Sequence, residues 1–282
     1  MDKDVVLSLD EIYLQKENQY SGGRSIGADA DGNMFKGVLT FMINSLKDSI
    51  PFVVKAIPEL QITGKWIATE LDELLSSLHK CGFAVRAVVS DDHSTNVSAF
   101  RSLHDLYGSK SSPSSITHPS RDGKIYLFYD SVHLVKNIRN NLLNARKFSF
   151  PSFSFHKFED NIDVPEGKIT WKQLHDVYDI DQLNDGYLRK APKLSYKSLH
   201  PGDNKQNVPL ALSIFDRSTA VALADYFPDS KDASEFIKLV NIRWTISNSK
   251  QRFNTNFLLG NAVIIGDHKP EFLRKLADWI EE

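Results

Sequence analysis

Two aspartates occupy positions where a sheet would gather reactive groups. Asp10 lies inside the apolar segment VLSLDEIY, and Asp91 directly follows the apolar run AVRAVVS, residues 84–90. Reactive groups collect where strands end, because the loops there converge on a ligand. Two carboxylates held close together repel each other and call for divalent cations, and oxygen ligands suit Mg²⁺ or Mn²⁺. Paired ions of this kind activate an attacking oxygen and stabilise a leaving oxygen at a phosphodiester.

An ordinary structural interpretation of each aspartate stays open. An Asp at a strand end is usually a solvated turn residue, and Asp92, next to Asp91, suits the N-cap of a following helix. Asp10 is the stronger candidate, because a charged residue in the middle of a strand needs partners or a metal. Its neighbour Glu11 is expected to point to the opposite face of the strand.

The elements that would position these side chains follow an order of three strands, a helix, a strand, a helix, a strand and a helix. Strands are predicted at residues 5–14, 35–46, 51–57, 84–90 and 124–129, and helices at residues 67–78, 95–107 and 131–145. This order is typical of an RNase H-like mixed sheet with flanking helices. The first and fourth strands of such a sheet are neighbours. We therefore expect the carboxylates of Asp10 and Asp91 to converge, roughly 4–7 Å apart, around a shared ion.

The second half of the chain has a different character. From residue 148 on there is almost no convincing strand pattern, and helices are predicted at residues 170–178, 208–226, 233–240 and 270–281. The aromatic-rich segment FSFPSFSFHKF, residues 148–158, marks the join and is expected to pack into an interface. We predict an α/β domain over residues 1–147 and a mostly α-helical domain over residues 148–282. The Ser- and Pro-rich segment 109–120 is expected to be a loop.

Composition excludes several classes of protein. The formal net charge is −2, so any contact with nucleic acid must come from local basic patches. A single cysteine, Cys81, excludes a disulfide framework and a multi-cysteine zinc module within these residues. There is no apolar run near the ~20 residues of a membrane span and no signal-peptide pattern. We expect an intracellular protein that does not enter a membrane.

Four stretches of the chain resemble the P-element-type DNA transposases, the THAP-domain transposase family. They are LSLDEIYL, VVSDDHSTN, YDSVHLVKNIRNNLL and KLSYKSLHPGDNKQNVPLALSIFDRSTAVAL, in the family's order. The first two resemble the strands that carry the family's first two catalytic acids. The resemblance therefore implies that Asp10 and Asp91 are catalytic, metal-binding residues of an RNase H-like domain. It also implies that the helical part is an insertion that binds GTP.

The third stretch is the most specific of the four. It is similar to the family's Asp-x-x-His-Leu-x-Lys-x-x-Arg-Asn helix, here Asp130, His133, Leu134, Lys136, Arg139 and Asn140. Four basic residues between Lys136 and Lys147 suit a phosphate backbone, so we expect Lys136 and Arg139 to contact DNA. The alternative is a solvated helix face without a ligand.

The guanine contact of the family's insertion domain lies in a Phe-Asp-x-x-Asn motif, matched here by WTISN, residues 244–248. The resemblance implies that Trp244 stacks on the base and that Asn248 reads its edge. Thr245 replaces the Asp that accepts from the guanine N1 and N2 donors, so we expect only a weak preference for GTP. Lys250 and Arg252 are candidate partners of the triphosphate. The alternative for Trp244 is an ordinary core aromatic.

The resemblance implies a nuclear protein that cuts and joins DNA at transposon ends, with Mg²⁺ or Mn²⁺ and GTP as cofactors and as a homo-oligomer when intact. The family's third acid, a Glu in a Ser-Gln-Asp-x-x-Glu helix, has no match among these residues. We therefore expect this chain to be inactive alone. The alternative is a domesticated, non-catalytic remnant that binds DNA or a protein partner.

Overall fold

The structure is a computed structural model. It describes residues 4–14, 19–21, 24–29, 31–47, 51–109, 112–119, 123–184, 188–249, 258–264 and 266–281. The chain divides into two compact units, Met1–Asp130 and Ser131–Glu282. The helix at residues 131–145, which we predicted as part of the first domain, supplies Val135 and Leu142 to the core of the second unit. None of the described helices has the length and apolar character that a membrane span requires.

The first unit is built on one mixed sheet. The strands of this unit are β1 Asp4–Tyr13, β2 Gln19–Ser21, β3 Arg24–Ile26, β4 Gly37–Ser45, β5 Pro51–Glu59, β6 Ala84–Ser90, β7 Gly108–Ser109, β8 Ser112–Ile116 and β9 Ile125–Tyr129. Its helices are α1 Gly64–Lys80 and α2 Ser94–Tyr107. In the described part of the chain, β2 and β3 pair only with each other. Seven strands form the sheet in the order β5-β4-β1-β6-β9-β8-β7. β1 runs antiparallel to β4 and parallel to β6. The predicted mixed sheet is therefore confirmed, with the first and fourth predicted strands side by side.

The core of this unit contains every second side chain of its central strands. Leu7 and Leu9 of β1 are buried together with Phe41 of β4, because every second side chain of a strand points to one face. The apolar stripe of α1, including Leu71 and Leu75, packs into the same cluster. The described part of the Ser- and Pro-rich segment forms β7 and β8, and β8 pairs with β9, so the expectation of a plain loop there was wrong.

The second unit is mostly helical. Its helices are α3 Ser131–Ala145, α4 Trp171–Gln182, α5 Tyr196–Leu199, α6 Val208–Ile214, α7 Arg217–Tyr226, α8 Lys231–Ser247 and α9 Lys269–Glu281, and its strands are β10 Lys147–Phe150, β11 Phe153–Phe155, β12 Ile162–Val164 and β13 Gly167–Thr170. β10 pairs with β13 and β11 with β12, so the expectation of almost no strand was wrong. The predicted helix at residues 208–226 is two helices, because Asp216 caps α7 by accepting from the backbone N–H of Ser218 at 3.0 Å.

Candidate active site and nucleotide site

Asp10 and Asp91 lie at the same end of two adjacent parallel strands. In the pairing of β1 with β6, Ser8 lies beside Val89. Two residues further along each strand are Asp10, still in β1, and Asp91, the first residue after β6. Residues side by side in parallel strands share a face of the sheet. The topology thus brings both predicted acids to one edge, as a shared cation site requires, and their use of a common ion stays a prediction.

Local hydrogen bonds hold one oxygen of each carboxylate. Asp10 Oδ1 accepts from the backbone N–H of Glu11 at 2.9 Å. Asp91 Oδ1 accepts from the backbone N–H of His93 at 3.0 Å and from Asn96 Nδ2 at 2.6 Å. The bond to Asn96 explains the five-residue spacing of that Asp and Asn. Among the described residues these bonds leave Oδ2 of both aspartates without a donor, so each has an oxygen to offer a cation.

A second pair of carboxylates, which sequence reasoning missed, lies beside this edge. Glu59, at the end of β5, is only 7% exposed and shares a hydrogen bond with Glu11. Gly37 of β4 makes room for the pair, because a Cβ there would lie 3.0 Å from Glu59 Oε1 and 3.1 Å from Glu11 Oε1. Burial raises the pKa of the Glu11 carboxyl, and the charges of Glu59 and Asp91 raise it further. In the sequence, Glu59 is visible only as an acid at the end of an apolar strand. Its pairing with Glu11 depends on the strand register, which the sequence does not show.

The donor chemistry of Asp10 and Asp91 fits a hard divalent cation. Carboxylate oxygens are the ligands Mg²⁺ prefers, and Mg²⁺ is usually held by one or two carboxylates with water or phosphate oxygens completing the shell. Within the described ranges, no group of three or more His, Cys, Asp or Glu side chains is arranged to hold a metal ion. The strand register brings Asp10 and Asp91 to one edge, and their role as the ligand pair stays a prediction.

Lys136 and Arg139, the predicted DNA contacts, lie inside the second unit. Lys136 is 6% exposed and Arg139 is 0% exposed, so neither cation faces solvent as a phosphate backbone would require. Lys136 Nζ donates to Gln206 Oε1 at 3.0 Å, and Arg139 Nη2 donates to the carbonyl of Lys205 at 2.8 Å. α3 is thus neither a solvated face nor an open basic surface at these two positions. Their contact with DNA stays a prediction that would need this region to open.

Comparison with known proteins identifies relatives of the chain. Residues 1–104 match the family model of the TNP-like RNase H N-terminal domain. The chain is 24% identical over 259 residues to the transposable element P transposase of Drosophila melanogaster, covering 88% of this chain and 30% of that relative. The chain is therefore similar in sequence to the P element transposase over most of its own length. It spans less than a third of that relative's length.

A solved structure supports the same fold. The chain superimposes with a TM-score of 0.77 on a Drosophila P element transposase strand transfer complex, at 22% identity, over 99% of this chain and 59% of that one. The RNase H-like fold and the P element resemblance predicted from the sequence are therefore confirmed. At this identity the match shows the fold alone, so what these residues bind in the present chain rests on their own geometry.

The residues that match the transposases' guanine motif are engaged inside the second unit. Trp244 is half-buried and packs against the core. Asn248 Nδ2 donates to the carbonyl of Trp244 at 3.1 Å, and Asn248 Oδ1 accepts from Ser131 Oγ at 3.2 Å. The Thr245 hydroxyl donates to the carbonyl of Asn241 at 2.9 Å. The three side chains lie together at the end of α8. A nucleotide base must displace some of these hydrogen bonds before Thr245 or Asn248 can bond to it.

The other predicted nucleotide contacts, Lys250 and Arg252, lie outside the described residues. The helix that presents Trp244 and Thr245 is α8, whose last described turn ends with Asn248 as its C-cap. The predicted base contacts therefore lie in the last turn of α8, at Trp244, and at its C-cap, Asn248. A base-reading role for Trp244 and Asn248 stays a prediction.

Proposed function

We propose that this chain is the part of a P element-like transposase that carries the first two acids of a divalent metal site. The observation that supports it is that Asp10, in β1, and Asp91, the first residue after β6, lie at the same end of adjacent parallel strands. In the intact protein, this site would serve the cutting and joining of DNA at transposon ends in the nucleus. GTP would be a cofactor of the second unit, and the intact protein would act as a homo-oligomer.

The chain's own residues would do three things at this site. Asp10 and Asp91 would hold the cation through oxygens that carry no hydrogen bond among the described residues. Asn96 and the backbone N–H of His93 would orient the Asp91 carboxylate, since both donate to its other oxygen. When bound, Mg²⁺ or Mn²⁺ supplies charge stabilisation for a displacement at phosphorus.

Binding of Mn²⁺ to the 282-residue protein tests this proposal. We expect Mn²⁺ to bind weakly, and Asp10→Asn or Asp91→Asn to lower its affinity about tenfold or more, because each removes one of two charged ligands. Electron paramagnetic resonance of free Mn²⁺ measures the affinity, and circular dichroism checks that each variant is folded. Glu11→Gln is the matched control, since it neutralises the neighbouring acid of the same strand.

The control can also overturn the assignment. Loss of Mn²⁺ binding in Glu11→Gln with retention in Asp10→Asn would move the ligand to the other face of β1, where Glu59 lies beside Glu11. Retention in all three variants would show that the cation binds elsewhere. Either result would contradict the assignment of Asp10 and Asp91 as the metal ligands.

Strand cleavage by this chain alone is expected to be absent, even with Mn²⁺. An in-line displacement with two metal ions needs more ligands than two carboxylates offer. Purified protein and its Asp10→Asn variant, incubated in parallel with labelled duplex DNA and Mn²⁺, should give the same background. Cleavage that disappears in Asp10→Asn would place the third acid within these 282 residues, with Asp130 as the leading candidate.

A second candidate function is a domesticated remnant that binds DNA or a protein without catalysis. The internal bonds of Asn248 favour it, because both ends of that amide are satisfied within the chain. A remnant of this kind would show neither Asp10-dependent metal binding nor nucleotide binding. The Mn²⁺ titration above therefore separates the two functions.

A further inference from the structure

Among the described residues, two buried cations on α3 have only neutral hydrogen-bond partners. Lys136 and Arg139 are three residues apart and so share a face of the helix. Their exposed fractions are 6% and 0%. Lys136 donates to the side-chain oxygen of Gln206 and Arg139 donates to a backbone carbonyl. Buried charges in proteins are normally paired with opposite charges, so two unneutralised cations on one helix face are a departure that needs a cause.

Some N–H groups of the Arg139 guanidinium make no hydrogen bond with the described residues. Its Nε and Nη1 atoms are buried and have no hydrogen-bond acceptor in the part of the chain that the structure describes, whereas Nη2 donates to the carbonyl of Lys205 at 2.8 Å. Buried polar groups rarely lack partners, and an exception points to an unobserved water or ion. Burial lowers the pKa of this guanidinium, and no charged neighbour contributes to the shift. Among the described residues, no carboxylate therefore compensates Arg139.

A third cation belongs to the same place. Lys205 and Gln206 end the 3-10 turn Gly202–Gln206, which contacts α3. The carbonyl of Lys205 accepts from Arg139 and, at 3.3 Å, from Asn140 Nδ2, so this turn is fixed to the helix. The Lys205 residue itself is exposed. Two buried positive charges thus meet at one short turn, and the same turn carries the exposed Lys205.

We propose that Lys136, Arg139 and Lys205 form a binding site for a small phosphate-type oxyanion. The guanidinium fork donates several parallel N–H groups, a geometry that matches phosphate oxygens, and a bound anion neutralises the buried charges. The backbone of a DNA duplex does not reach a group that is 0% exposed, so the ligand would be a small anion that the surrounding residues enclose. The anion is a free phosphate or the phosphate group of a small ligand.

Thermal unfolding of the full 282-residue protein with pyrophosphate tests the site. At roughly 100 times its Kd, pyrophosphate should raise the Tm of the wild type by about 5 °C. Arg139→Met should abolish this rise. Without phosphate, Arg139→Met should be as stable as the wild type or more stable, because it removes an uncompensated buried charge. Arg217→Met, which removes an exposed cation at the start of α7, is the matched control and should keep the rise.

Further arms keep the proposal falsifiable if Arg139→Met does not fold. Lys136→Gln should reduce the rise, and calorimetry of the wild type should show saturable binding of phosphate and pyrophosphate. No response of the wild type to either anion, or an equal rise in Arg139→Met, would overturn the proposal. An Arg139-dependent rise with duplex DNA but not with pyrophosphate would also overturn it. These readouts need no metal, cleavage or guanine, so their failure is distinct from failure of the proposed transposase function.

Discussion

Replacing Asp181 by alanine is expected to lower the free energy of unfolding by about 3 kcal/mol or more. Asp181 lies in the last turn of α4, is 2% exposed and accepts three hydrogen bonds. Its Oδ1 accepts from the backbone N–H of Lys190 at 2.7 Å and from the hydroxyl of Tyr226 at 2.7 Å, and its Oδ2 accepts from the backbone N–H of Ala191 at 3.1 Å. Alanine would leave these three donors without an acceptor. Two of them are backbone N–H groups, which cannot rotate toward water as a side chain can.

Urea unfolding measures this loss against two variants. Asp179→Ala removes an exposed carboxylate from the same helix and should change stability by no more than about 0.5 kcal/mol. Tyr226→Phe removes a single bond and should cost about 1 kcal/mol. Equal effects of Asp181→Ala and Asp179→Ala would show that the buried carboxylate does not hold the segment around Lys190 to α4.

The same network predicts a dependence on alkaline pH. Burial, followed by the hydrogen bond to Asp181, raises the pKa of Tyr226 to about 12. Between the unfolded value of ~10 and that folded value, the folded state binds more protons than the unfolded state. The contribution of Tyr226 is therefore complete below pH ~10 and is lost as the pH rises through the folded pKa. The Tyr226→Phe variant should lack this part of the decline.

Local pattern was sufficient to predict several elements of the fold, including the strand that precedes Asp91. β6 occupies residues 84–90 and α3 occupies residues 131–145, both as predicted. The run that became β6 is bounded by Gly82, whose φ of +87° suits the left-handed turn that ends α1, and by Asp91. A continuous apolar run with such boundaries reads as a buried parallel strand without reference to the rest of the chain. The RNase H-like order of the elements then indicated which strands are neighbours.

Elements that depend on distant partners could not be predicted in the same way. β11 and β12 have three residues each, too few to show an alternating period, and β10 pairs Lys147 with Thr170 across the intervening segment. Phe153 and Phe155 are buried and Ser154 is exposed. Burial therefore alternates along β11, but for one period only, which is too short to identify a strand from the sequence. An aromatic cluster of this kind predicts burial correctly and leaves the secondary structure open.

The candidate sites show the same division. Cations three residues apart on a helix are typical of a solvated face, and the sequence contains nothing to say that the 3-10 turn before α6 covers Lys136 and Arg139. The pair formed by Glu11 and Glu59 likewise depends on β4 placing Gly37 between the two strands. In both cases the residue types were visible in the sequence, whereas their surroundings follow from tertiary packing.

Replacing Thr245 by aspartate is expected to increase the preference for GTP over ATP by about two orders of magnitude. The added carboxylate would accept from the two guanine donors, N1 and N2, which adenine does not present in that form. In the wild type the Thr245 hydroxyl already donates to the carbonyl of Asn241 at 2.9 Å, and Asn248 is bonded to Trp244 and Ser131. The wild type should therefore prefer GTP over ATP only weakly.

Calorimetry with GTP and ATP on the wild type and on Thr245→Asp measures the preference directly. Thr245→Asn is the matched control, because its uncharged amide has the size of aspartate but should change the ratio of the two affinities less. A strong GTP preference in the wild type would mean that a residue other than Thr245 reads guanine. Absence of nucleotide binding in both proteins, with Trp244 fluorescence unchanged, would contradict a purine site at the end of α8 and favour the non-catalytic remnant.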